Sequence, residues 1–125
     1  MKTVLTLIAV LTAINCCAQW IQVTNGLPAN QNIQSLAANQ DYVFAGLKID
    51  LSNVQGLYKS TDNGNTWTQN LFPANNNIVS VAVNGYNIFA GTQLNGVYRS
   101  TDNGVTFSQV FWGGTIRNSR MAVNG

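Results

Sequence analysis

The chain of 125 residues is 46% hydrophobic and only 8% charged, with a formal net charge of +2 and no histidine. Its cations Lys48, Lys59, Arg99, Arg117 and Arg120 are scattered, which excludes a basic nucleic-acid footprint and a strong pull toward an acidic membrane surface. Solubility rests instead on Asn, Gln, Ser and Thr, as suits exposed β-structure in one small unit or part of a repeat array.

Residues 1–18 read as a secretory signal, with Lys2 as the positive region, an apolar run over 4–14 and a small-residue region at Cys16-Cys17-Ala18. Cleavage is expected before Gln19, giving a secreted or cell-surface protein. The apolar run is shorter than the roughly 18 to 20 residues of a spanning helix, so no stable membrane span is expected. Both cysteines lie in the signal, leaving a mature chain without thiols or disulfides. Lipid attachment at Cys16 or Cys17 is the alternative, disfavoured by Asn15 and Cys16 as the preceding residues.

Trp20-Ile21-Gln22-Val23 matches Trp67-Thr68-Gln69 and Phe107-Ser108-Gln109-Val110 as aromatic, variable, Gln, and so reads as the last strand of a repeat. A first full unit over 33–71 holds four β-prone segments, at 33–38, 42–46, 56–60 and 67–70, separated by turn residues. A second unit over 78–110 repeats them at 78–83, 86–91, 96–100 and 107–110, with a loop five residues shorter between its middle strands. Residues 121–125, MAVNG, echo 81–85, VAVNG, and start a third unit near 118. A chain that stops inside a hairpin reads as a fragment of a longer frame. The segments at 42–46 and 86–91 are apolar on both sides, which predicts strands covered on both faces by stacked sheets.

The most specific pattern is the octapeptide STDNGNTW at 60–67, which returns as STDNGVTF at 100–107 with six of eight residues identical. The 40-residue spacing of Gly64 and Gly104 (104 minus 64) belongs to propeller and solenoid periods. Asn63-Gly64 and Asn103-Gly104 are tight-turn dipeptides that accept positive φ. Asp62 and Asp102 are placed to fold their carboxylates onto nearby backbone N–H groups. Ser60 and Ser100 open the motif, Thr66 and Thr106 resume the strand, and Trp67 and Phe107 bury a ring beneath the turn.

These two copies resemble the Asp-box, or bacterial neuraminidase, repeat, Ser/Thr-x-Asp-x-Gly-x-Thr-Trp/Phe, found in sialidase-like, sortilin-like and photosystem II assembly-factor-like propellers. The resemblance implies an all-β fold of four-stranded antiparallel β-propeller blades. The ring would be incomplete here, with two full blades and parts of two others over 19–125. Missing C-terminal blades would be needed to close it, since propellers use about four to eight, and the isolated segment is expected to be poorly stable.

A calcium loop needs several oxygen ligands at alternating positions, whereas each turn has one carboxylate and Val105 replaces Asn65 in the second copy. No metal or cofactor is therefore expected. A sialidase-like glycoside hydrolase is the alternative function. The four acidic residues are all Asp, and with Asp62 and Asp102 in the turns, no carboxylate pair facing one bond is left from Asp41 and Asp50. Tyr42, Tyr58, Tyr86 and Tyr98 recur in pairs and read as blade core, not as a nucleophile.

The preferred expectation is a non-catalytic scaffold that binds a protein or glycan ligand through loops on the rim opposite the repeated turns. Lys48, Asp50, Phe72, Trp112, Arg117 and Arg120 are the binding candidates there. Trp112, beside Gly113-Gly114, suits stacking on a sugar or peptide if exposed. The tendency of aromatic rings to bury predicts instead that it caps the blade edge with Phe111.

Overall fold

A computed structural model describes residues 20–29, 32–48, 56–73, 77–114 and 120–124. The expected signal segment, Asp50 and Arg117 lie outside the described residues. Eight strands follow one another: β1 (Asn32–Ala38), β2 (Val43–Lys48), β3 (Leu57–Ser60), β4 (Thr68–Gln69), β5 (Ile78–Asn84), β6 (Asn87–Thr92), β7 (Val97–Ser100) and β8 (Ser108–Phe111). They form two four-stranded antiparallel sheets, each in sequential order, β1-β2-β3-β4 and β5-β6-β7-β8. The all-β class and the antiparallel four-stranded pattern expected from the sequence are thus present. Neither sheet closes on itself or on the other.

The apolar runs in β2 and β6 behave as strands buried on both faces. Phe44 points into a core between the sheets with Leu57, Phe72, Ile78, Val81, Ile88, Ala90 and Tyr98. Its neighbours Ala45 and Leu47 join Tyr58 and Trp67 in a second cluster on the other face of the first sheet, where Leu27 packs. Successive strand residues point to opposite faces, so the continuous hydrophobicity of this segment fills two cores.

Both first strands carry the same irregularity, between Ile33 and Ser35 in β1 and between Ile78 and Ser80 in β5. It places Ser35 at the border between the sheets. There its hydroxyl accepts the Val81 N–H at 2.9 Å and lies 3.4 Å from the Val81 carbonyl oxygen as a donor. The open edge of β5 is capped by a side chain of the preceding sheet, one way to blunt a strand edge. Gly46 allows the close approach beneath it, for a Cβ would lie 2.7 Å from Ile78 Cγ2 and 3.1 Å from Val81 Cγ2. The same contact recurs one step further along. Ser80 Oγ accepts the Met121 N–H at 2.8 Å, and Met121 lies over Gly91, where an added Cβ would meet the Met121 Cε at 3.3 Å.

Three expectations are corrected. Residues 20–23 form no strand, and Trp20 is 98% exposed; no strand of the first sheet pairs with them, and an unpaired β-segment has no ladder to hold it. Tyr86 is 67% exposed because the strand starts one residue later and Tyr86 belongs to the β5–β6 turn, whereas Tyr58 and Tyr98 are buried as expected. Phe72 is buried, edge-on to Tyr98 at 4.9 Å and tilted against Phe107 at 5.0 Å. It is a core residue that a surface partner cannot reach.

Candidate functional site

The repeated turns adopt one geometry. Ser60 Oγ accepts the N–H groups of Gly64 at 2.8 Å and Asp62 at 3.3 Å, and donates to Asp62 Oδ1 at 2.8 Å. Asp62 in turn accepts the Thr66 N–H at 2.8 Å and the Thr66 hydroxyl at 2.5 Å. The second copy has the same bonds from Ser100, Gly104, Asp102 and Thr106, between 2.6 and 3.3 Å. Asn63 and Asn103 sit at φ 58° and 56°, Gly64 and Gly104 at 88° and 80°, so both residues of each dipeptide are left-handed, as expected for Asn-Gly.

Hydrogen bonds to an ionised carboxylate favour the charged form. The Thr66 hydroxyl and N–H, then Ser60, lower Asp62 to about 2. Ser100, then the Thr106 hydroxyl and N–H, lower Asp102 to about 2. Both carboxylates are therefore ionised at neutral pH with their oxygens engaged inside the turn. Among the described residues no three His, Cys, Asp or Glu gather as a metal site, and no helix is long and apolar enough to cross a membrane.

The second turn also bridges the sheets. Asn103 N–H donates to Tyr86 O at 3.1 Å, its Oδ1 accepts Asn39 Nδ2 at 3.2 Å, and its carbonyl accepts Lys59 Nζ at 3.4 Å. Asn39 also donates to Gly85 O at 2.9 Å, tying the β1–β2 and β5–β6 turns together. A cleft of about 450 Å³ opens between them, lined in part by Gln40, Asp41, Asn84 and Tyr86. The turns and first hairpins thus share one rim.

The opposite rim is built by glycine. Thr92 Oγ1 and N–H both donate to Gly96 O at 2.9 Å, and Asn95 N–H donates back to Thr92 Oγ1. Gly96, at φ 74°, lies so close to the Phe111 carbonyl that a Cβ there would overlap it. Gly113 is likewise pressed against the Phe111 ring. A register shift opposite Val97 and Tyr98 in β8 re-aims the strand end, as bulges do. Phe111 and Trp112 consequently stand 58% and 76% exposed, near a loop whose Leu94 is 59% exposed and whose Asn95 carbonyl accepts Gln109 Nε2 at 2.6 Å.

No family model, curated protein or solved structure matches the chain.

Of the residues singled out in the sequence, the structure brings Ser60, Asp62, Gly64 and Thr66 into one turn and Ser100, Asp102, Gly104 and Thr106 into the other. Trp67 is buried and Phe107 half-buried beneath them. Lys48, Trp112 and Arg120 are exposed; Phe72 is not, and the expectation that Phe111 and Trp112 bury at the blade edge is overturned. Sequence reasoning missed Asn39 and Asn103 as bridges between sheets and Tyr86 as an exposed ring. The identical Asn63 and Asn103 carried a signal for the bridge, but turn preference alone accounts for them locally.

Proposed function

We propose that the chain is part of a secreted Asp-box β-propeller acting as a non-catalytic scaffold, which holds a protein or carbohydrate partner at the rim carrying Trp112. The propeller reading is supported by the contact that joins the two sheets and recurs between the second sheet and Met121. The binding reading rests on one observation: Phe111 and Trp112 stand exposed side by side at the end of β8, next to Gly113. An exposed indole presents a flat apolar face with one N–H donor, which suits a sugar ring or an extended peptide. The engaged carboxylates of Asp62 and Asp102 favour a scaffold over glycoside hydrolysis, which asks for two carboxylates flanking one bond.

The test is an array of glycans and peptides probed with the secreted chain and with Trp112→Ala. The wild type retains a defined set of ligands, and the variant weakens them by about tenfold or more, as expected for loss of an aromatic anchor. Turnover of a fluorogenic sialoside that disappears on mutating Asp41 or Asp50 would replace this reading with the hydrolase. Export is checked by N-terminal sequencing of the secreted product, expected to start at Gln19.

A further inference from the structure

We propose that Asn84 is a site of spontaneous covalent modification, deamidation through a cyclic imide with Gly85, and that the serine hydroxyls of the repeated turns shield the otherwise identical Asn63-Gly64 and Asn103-Gly104 bonds. The inference is independent of the ligand-binding reading and rests on which glycine N–H groups are engaged.

Six Asn-Gly pairs occur in the sequence, with Asn at 25, 63, 84, 95, 103 and 124. The pair is reactive because glycine has no side chain to hinder its own nitrogen and turns freely into the ring-closing geometry. The glycine nitrogen attacks the Asn Cγ. The new N–C bond forms as the Cγ–Nδ2 bond breaks, and the side-chain nitrogen leaves as ammonia with the glycine proton. Water then adds to one of the two imide carbonyls and opens the ring to aspartate or isoaspartate. No oxidant or reductant takes part, and the glycine N–H must be free to give up its proton.

In the repeated turns that N–H is committed. Gly64 donates to Ser60 Oγ and Gly104 to Ser100 Oγ, both at 2.8 Å, and both serines are buried. Ring closure there breaks the bond and leaves a buried hydroxyl without its donor. Gly26 and Gly96 are restrained in another way, each pressed against a carbonyl, that of Trp67 and that of Phe111. The neighbouring Asn25 and Asn95 carbonyls are bonded to Trp67 N–H at 2.9 Å and Gln109 Nε2 at 2.6 Å, so the peptide between each pair has little room to swing. Gly125 lies outside the described residues.

Gly85 has neither restraint. A two-residue loop, Gly85 and Tyr86, joins β5 to β6 with Asn84 paired to Asn87. The Gly85 N–H therefore falls outside the ladder, and no hydrogen bond engages it among the described residues. Asn84 and Gly85 are both exposed, and a Cβ on Gly85 would meet nothing within 4 Å. The serine bonds and the hairpin loop each lie within one turn, so they are the same whatever adjoins either sheet. Conversion of Asn84 places a second carboxylate in the cleft that Asp41 already lines, replacing an amide donor there by negative charge.

The experiment incubates the full chain under mildly alkaline conditions and follows each Asn-Gly peptide by mass spectrometry, with aspartate and isoaspartate separated by chromatography. Asn84 is expected to convert at least about tenfold faster than Asn63 and Asn103, the rate factor that one hydrogen bond lost on ring closure supplies. In strong denaturant the three rates are expected to converge. Ser100→Ala should speed Asn103 by a similar factor while Asn63 stays slow. Thr106→Ala loosens the same turn but leaves the Gly104 N–H on Ser100, and should leave Asn103 slow. If Ser100→Ala loses the wild-type circular dichroism spectrum, Ser60→Ala takes its place and is read at Asn63. Four results would each overturn the proposal: folded wild type in which Asn103 converts as fast as Asn84, a ranking that persists in denaturant, a folded serine variant whose turn stays slow, or a Thr106→Ala variant that speeds Asn103 as much as loss of the serine does.

Discussion

Asp62 and Asp102 each commit a carboxylate to one turn, and both titrate at about 2 against an ordinary 3.8. A carboxylate depressed by folding contributes stability that is fully present above the unfolded value and is lost as pH falls through the folded one. The window for these residues therefore runs from 3.8 down to about 2. The double variant Asp62→Asn/Asp102→Asn is expected to be less stable than wild type near neutral pH, with the gap closing across that window. Acid titrations followed by tryptophan fluorescence check this, and a gap unchanged to the acid end of the window would count against it. Ser100 is buried, and its Oγ accepts the Gly104 N–H; Ser100→Ala should cost about 1–3 kcal/mol in urea unfolding, the range for a buried donor left unpaired. These roles were legible in the octapeptide because its bonds are local. The bridge through Asn39 and Asn103 joins residues 64 positions apart, and no local pattern carries it.

At the scale of elements, the two turns are alike in bonding and unlike in surroundings. A Cβ on Gly104 would lie 2.9 Å from Phe44 Cε1 and 3.0 Å from Asn70 Nδ2, whereas one on Gly64 meets only Trp67 Cζ2 at 3.5 Å. Both substitutions by Ala force a left-handed backbone, at about 1–2 kcal/mol. Gly104→Ala adds overpacking of about 1–3 kcal/mol. Thermal melts of the two variants should therefore rank Gly104→Ala as clearly the more damaging, and equal losses would show that the second turn does not press on the first sheet. The succession of strands and the doubly buried β2 were readable from turn residues and from an apolar run unbroken by polar positions. Residues 20–23 misled because a strand needs a partner as well as a pattern, and Tyr86 misled because a shift of one residue moved it from strand to turn.

For the whole molecule, the sheets are held by a shared core and by side chains that reach across. Phe72→Ala removes a buried ring that touches Tyr98 and Phe107, and a loss of about 3–5 kcal/mol is expected from denaturant curves. Trp112→Ala, at an exposed position, should shift stability by no more than about 0.5 kcal/mol while removing ligand, so a large drop in melting temperature would place Trp112 in the core instead. The serine caps have a spectroscopic consequence. The Val81 amide proton is bonded to Ser35 across the boundary between sheets, not to a neighbour in its own ladder, so its exchange with deuterated solvent reports separation of the two sheets. The Met121 amide, bonded to Ser80, reports release of residues 120–124. Two protons in one exchange experiment thus time the parting of the sheets and the release of residues 120–124 separately.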